Sequence, residues 1–150
     1  MTRRALSLRG LGLHRQDRGM TVTLNEEIRR LLDGRHYGVL ATINPNGGPQ
    51  TSAIWVGRDG EDVVMSTVAG RRKHRNLERD PRASLTVVDS DDPENYVELR
   101  GHVTITEDIG RELDTALSWK YDDRDPDPDP PGAVRVVLRM RVDKVTGYAA

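Results

Sequence analysis

The residues with the most chemistry to offer lie together between Met65 and Leu85, in the stretch MSTVAGRRKHRNLERDPRASL. Ser66 and Thr67 bring hydroxyls to the end of an apolar run, and Ala69-Gly70 turns the chain before a basic segment begins. Six cations (Arg71, Arg72, Lys73, Arg75, Arg79 and Arg82) stand against Glu78 and Asp80. Hydroxyls and backbone amides where a strand hands over to a helix, with guanidinium forks and a compact ammonium, suit the grip of an oxyanion. Gly70 lets the backbone approach such a ligand closely. Charge alone leaves a second reading open, a solvated helix that is merely basic. Arg75 and Arg79, further along, read as helix-surface charge.

Other chemistries lack their parts. The chain has no Cys, which excludes disulfides, thiolate catalysis and thiolate metal sites. His14, His36, His74 and His102 are scattered, and no two share a metal-ligand spacing. There is no Gly-x-Ser-x-Gly elbow and no phosphate loop. The early glycines at 10, 12 and 19 follow no strand, so they are not a dinucleotide fingerprint. No catalytic residue and no metal ligand is therefore assigned, and any reaction falls to a bound cofactor.

Composition narrows the class further. With 150 residues, 35% hydrophobic and 31% charged, the chain fits one soluble domain. A formal net charge of −1 and only 4% aromatic residues argue against a nucleic-acid module. No apolar run approaches membrane-spanning length, and residues 1–19, with five Arg, make a poor signal peptide. They read as a disordered extension before a domain over 20–150, in a cytoplasmic protein.

The elements that must position the basic stretch follow from periodicity. Thr23 and Glu26 have capping-box spacing, and Leu24, Ile28, Leu31 and Leu32 share one face of a helix over about 24–33. Tyr37 to Ile43 reads as a strand buried on both faces; the Asn44–Gly48 turn returns it through Gln50 to Val56. Arg58-Asp-Gly60 is a second turn, Asp62 to Ser66 a third strand, and the basic helix runs over about 70–79 until Asp80-Pro81 stops it. Ala83–Asp89, Tyr96–Thr106 and Ala133–Val142 are the remaining strands, with Val134, Val136, Leu138, Met140 and Val142 on one face of the last. A second amphipathic helix spans Asp108–Tyr121, with Ile109, Leu113, Ala116 and Leu117 inward, before an acidic, proline-rich loop over 122–132. Six hairpin-linked strands with two to three helices predict a mainly β chain, a largely antiparallel barrel with helices outside. With no Phe, two Trp and four Tyr, the core is thin enough to expect burial against a second copy.

Several motifs in order carry a family resemblance. They are Gly38-Val-Leu-Ala-Thr-Ile43, Gly48-Pro-Gln-Thr-Ser52, Ser66-Thr67 with Arg71-Arg-Lys73, and Arg75-Asn-Leu-Glu-Arg-Asp-Pro-Arg-Ala-Ser84. Pro128-Asp-Pro-Pro-Gly132, Val134-Arg-Val-Val-Leu-Arg139 and Val145-Thr-Gly-Tyr148 complete the set. From about Leu31 to Tyr148 the chain resembles the pyridoxamine-5'-phosphate-oxidase-like split β-barrel family of flavin-binding proteins. Within it, the chain looks most like the deazaflavin branch, the coenzyme F420-dependent oxidoreductases.

The resemblance implies a split antiparallel β-barrel and a homodimer with two cofactor sites at the interface. It places phosphate binding on Thr67, Arg71, Arg72 and Lys73 beside Ser66, and ring-facing positions on Gln50, Ser52 and the backbone near Ile54-Trp55. The family's C-terminal aromatic falls on Tyr148. The implied activity is hydride transfer between coenzyme F420 and an unidentified small acceptor. FMN in the same fold is the alternative cofactor, and a non-catalytic protein that binds or sequesters coenzyme F420, FMN or haem is the alternative function. FMN ends in one phosphate, whereas coenzyme F420 carries a phosphodiester and a glutamate tail. The long basic run from Arg71 to Arg79 favours the longer anion.

Overall fold

The computed structural model describes residues 22–150, so the expectation of a disordered extension over 1–19 lies outside the described residues. Seven strands form one antiparallel sheet: β1 (Gly38–Ile43), β2 (Pro49–Ile54), β3 (Gly57–Asp59), β4 (Asp62–Val68), β5 (Arg82–Val88), β6 (Tyr96–Glu107) and β7 (Arg135–Thr146). Their order is β2-β1-β5-β6-β7-β4-β3. Helices α1 (Glu26–Asp33), α2 (Arg72–Arg79) and α3 (Glu112–Asp122) flank it, with a 3₁₀ turn over Ile109–Arg111. This is the mainly β, split-barrel architecture the sequence predicts, with one strand more. The addition is β3, where Gly57 pairs with Val64 and Asp59 with Asp62 around a turn at Gly60. Its three residues coincide with the turn chemistry that hid it.

The main core lies between α1 and one sheet face: Ile28, Leu31 and Leu32 meet Leu40, Leu85, Leu99 and Met140. A smaller cluster forms on the opposite face, where Leu113 and Leu117 of α3 cover Val64 and Val137. Strand β7 runs between the two and is buried on both faces, because Val137 and Arg139 are as enclosed as Leu138 and Met140. The simple alternation expected there fails for that reason. Arg139 tolerates burial by giving one guanidinium nitrogen to Asp62 and another to Asp59, each at 2.7 Å.

Helix α1 is capped by Asn25 rather than Thr23: the Asn25 side-chain oxygen accepts from the Ile28 amide at 2.8 Å. Strand β1 is not buried on both faces, since Val39 is 43% exposed. Val39 and Ala41 pair with Ala53 and Thr51 of β2, so the four share one outward face. Ile109 is 77% exposed rather than inward. It precedes a left-handed pair, Gly110 and Arg111, that sets the start of α3 and puts Ile109 out of its phase. Among the described residues, no helix is long and apolar enough to cross a membrane.

Helix α2 is docked by very little. Only Asn76 and Leu77 are buried on it. The Asn76 amide donates to Thr42 Oγ1 and to Asn44 Oδ1, both at 3.0 Å, and Thr42 in turn donates to Gln50 Oε1 at 3.0 Å. Asn76→Ala removes both donors from a fully enclosed position and is expected to cost about 2 kcal/mol of stability in a urea titration. An unchanged midpoint would mean that α2 is held elsewhere.

Candidate functional site

The corner where β4 passes into α2 is built by Gly70, whose φ of 95° is unstrained only for glycine. A Cβ there meets nothing within 4 Å, so the requirement is conformational rather than one of close approach. The Gly70 amide donates to His74 Nδ1 at 3.0 Å, which closes the turn. Arg71 is the N-cap of α2 in extended conformation and makes no side-chain capping bond.

Strand pairing decides where the hydroxyls point. Ser66 pairs with Val137, and Val68 with Arg135, so Ser66, Val68 and Arg135 share the face that α3 covers. Thr67 points the other way, into the main core, and is 1% exposed. On the α3 side a cavity of about 360 Å³ opens, lined at this corner by Ser66, Arg71 and Lys73. The structure thus brings together three of the residues expected from the sequence. Arg72 is exposed and does not line the cavity. Gln50 is tied to Thr42. Ser52 does not line the cavity but precedes Ala53, Ile54 and Trp55, which do.

This corner is under-satisfied. Among the described residues, no hydrogen bond or ion pair engages the side chains of Arg71, Arg72 or Lys73. Ser52 Oγ, Ser66 Oγ and Thr67 Oγ1 are buried and have no hydrogen-bond partner. Burial, and then the Arg71 charge, push the Lys73 ammonium below its ordinary pKa. Unpaired cations and an unpaired hydroxyl around one void fit the phosphate of a flavin or deazaflavin.

Two other parts of the cavity escaped the sequence. The first is aromatic: Trp55 stacks on Tyr121 at 5.3 Å between centroids and 5° between planes, and Tyr37 leans on Tyr121 at 5.5 Å. Tyr37 and Trp55 line the cavity. The Tyr121 hydroxyl donates to the His36 carbonyl at 2.7 Å and accepts from the Val56 amide at 3.1 Å. The second part is ionic, Arg111 and Arg135 with Asp114 and Asp129. No local signal marks either, because residues 37, 55 and 121 meet only through the fold.

Beside Tyr121, Lys120 donates to the carbonyls of Leu32 at 2.6 Å and Val56 at 2.5 Å. Burial pushes its ammonium from the ordinary 10.5 down to about 8, against a smaller opposing pull from Asp33. Between those two values the unfolded chain binds more protons than the folded one, so stability rises with pH. Burial raises the Tyr121 phenol to about 12 from 10.0, so its contribution is intact below pH 10.0 and erodes above it. Urea midpoints are therefore expected to climb between about pH 8 and pH 10, and Lys120→Met to keep only the share of Lys73. A variant climbing as steeply as wild type would remove Lys120 as the cause.

The matching family model, pyridoxamine 5'-phosphate oxidase, spans residues 24–148. The chain belongs to the pyridoxamine 5'-phosphate oxidase family. It is 27% identical over 131 residues to an F420H(2)-dependent biliverdin reductase of Mycobacterium tuberculosis (strain CDC 1551 / Oshkosh), covering 86% of this chain and 91% of that one. Among solved structures it is similar to an F420 reductase, at 35% identity and a TM-score of 0.71 over 79% of this chain and 94% of the other. It is also similar to a conserved hypothetical protein of Mycobacterium tuberculosis, at 25% identity and a TM-score of 0.66, over 87% and 88%. The family's split barrel is the fold described above.

Proposed function

We propose that the chain is a coenzyme F420-dependent oxidoreductase that moves a hydride between the deazaflavin and a small acceptor. The observation that carries this reading is the cavity corner lined by Ser66, Arg71 and Lys73, where the Ser66 hydroxyl is buried without a hydrogen-bond partner. Similarity to an F420 reductase and to an F420H(2)-dependent biliverdin reductase supports the deazaflavin over FMN.

Ser66, Arg71 and Lys73 would hold the phosphate; Arg72, exposed beside them, would extend the cationic track toward an anionic tail. Thr67, the further phosphate-binding position that the resemblance implies, turns its side chain into the main core and away from this cavity. When bound, the deazaflavin supplies the two-electron carrier that no side chain of this protein provides. The protein contributes position: Tyr37 and Trp55 supply aromatic lining to the cavity, and half-burial of Lys73 strengthens its attraction for an oxyanion. A homodimer completes the proposal, with the outward face of Val39, Ala41, Thr51 and Ala53 turned toward the second copy, since Ala53 belongs to both that face and the cavity.

The test is titration of the purified protein with coenzyme F420 and FMN separately, followed by absorbance and fluorescence. Reduced coenzyme F420 is then offered with quinone, tetrapyrrole and nitro acceptors. Tight binding without oxidation by any acceptor would sink the enzyme reading and leave a cofactor-binding protein. Saturation by FMN alone would replace the deazaflavin.

A further inference from the structure

The cavity already contains an anion, and it belongs to the chain. Asp129 receives a two-pronged bond from Arg135, at 2.7 and 2.8 Å, and lies 3.5 Å from the Arg111 guanidinium. Arg71 lines the same cavity, and its charge adds a smaller pull that holds the Asp129 carboxyl below its ordinary range. Two guanidiniums thus close on one carboxylate and a third lines the same cavity, from three segments far apart in sequence: the start of α3, the start of β7 and the N-cap of α2. All four residues line the cavity that Ser66 and Lys73 also line.

The two sides of this cluster are held very differently. Asp114, on α3, is 4% exposed and bonds Arg111 at 2.9 and 2.5 Å, with Arg135 at 3.4 Å. It fixes both arginines from behind. Asp129 stands between Pro128 and Pro130 on a loop whose prolines donate no backbone bonds. Side chains tie that loop to the body: Ser118 to the Arg124 carbonyl at 2.6 Å, Arg111 to the Asp127 carbonyl at 3.0 Å, and Arg135 to Asp129. Arg111 is held in a left-handed conformation, φ 53°, that costs a non-glycine residue energy. Its contacts to Asp114 and to the loop are what the strained residue gains.

The geometry points to Arg135, Arg111 and Arg71 as an anion subsite that Asp129 fills in the empty chain and vacates to a ligand's phosphate or carboxylate. The Asp-Pro loop is then an internal competitor: it keeps the arginines placed and selects ligands anionic enough to replace a carboxylate. This rests on the proposed cavity being an anion site, not on which flavin carries the anion.

The test measures calorimetric binding of inorganic pyrophosphate and of glutarate to the full chain, its Asp129→Asn, Arg135→Gln and Asp127→Asn forms, and Lys73→Ala. Asp129→Asn is expected to tighten one of the two probes about tenfold, and Arg135→Gln to weaken the same probe by about as much. Pyrophosphate as the responding probe identifies a phosphate subsite, and glutarate a carboxylate subsite. Asp127 loses the same charge from the same loop, but its carboxylate pairs with exposed Arg124 at 3.2 Å, so no gain is expected there. Equal gains in both Asn variants would reduce the effect to net charge and overturn the proposal. Weaker pyrophosphate binding by Lys73→Ala with no gain in Asp129→Asn overturns the displaced carboxylate alone. No response from either overturns the cavity reading as well. Should Asp129→Asn fail to melt cooperatively, Asp129→Ala is read in its place against the same control.

Discussion

Replacing Arg71 and Lys73 together by alanine is expected to weaken cofactor binding by about a hundredfold or more, while the melting temperature stays within about 2 °C of wild type. The asymmetry follows from what the two side chains do in the empty chain. Neither makes an internal hydrogen bond or ion pair among the described residues, so folding gains nothing directional from them. Arg71 holds the N-cap position without capping, and alanine there forfeits no bond. Lys73 is half-buried, and desolvation lowers its pKa, so its charge is a modest burden until an anion arrives. With the anion present, each cation contributes a charge-assisted bond of about 1.5–3 kcal/mol, and two such losses amount to two orders of magnitude or more. Arg72→Ala supplies the contrast: it is exposed and outside the cavity lining, and about threefold is expected. Fluorescence titration with coenzyme F420 and a thermal melt decide the matter. Unchanged affinity in the double variant would mean that the anion sits elsewhere.

That corner was legible because its parts are adjacent in sequence. Ser66, Gly70, Arg71 and Lys73 span one strand end and one helical turn, and local chemistry was enough to group them. Strand β6 was legible for a different reason: Val97, Leu99, Gly101 and Val103 alternate because one of its faces is exposed. Strand β7 lacks such a free face over Val136–Met140, and there the period-two signal disappears. The arginines opposite the basic turn were invisible for a third reason. Arg135 stands beside Val68 only through the register of β4 and β7, sixty-seven positions along the chain (135 minus 68). A basic residue on an alternating strand looks like any solvent-facing charge until that pairing is known. Aromatic stacking of residues 37, 55 and 121 was hidden likewise, since each residue alone has an ordinary structural role.

Gly101→Ala is expected to be the most damaging single methyl among the described glycines. Strands β6 and β7 pair Arg100 with Lys144 but Gly101 with Val142, so Asp143 is an extra residue and the register shifts at this step. The bulge brings the β7 backbone onto Gly101. A Cβ added there would lie 1.9 Å from the Arg141 carbonyl oxygen and 2.9 Å from its carbon. Backbone atoms in the middle of a ladder cannot rotate aside as a side chain does. Either β6 and β7 separate, or the bulge is lost and one strand slips by a residue. A slip exchanges the two buried faces of β7, moving Leu138 and Met140 from the main core to the α3 side and tearing Arg139 from Asp59 and Asp62 into the main core, against a total stability of about 5–15 kcal/mol. We expect a loss of at least about 3 kcal/mol, a fall in melting temperature of about 10 °C or more, or no cooperative transition at all. Gly132→Ala separates sterics from conformation. Its φ is 81° and nothing lies within 4 Å of the new methyl, so only the left-handed penalty of about 1–2 kcal/mol applies. If the Gly101 variant melted no lower than the Gly132 variant, the close approach of the two backbones would not be what holds the bulge. The same bulge would then not be what keeps Arg135 and Val137 in register on the Ser66 side of the sheet.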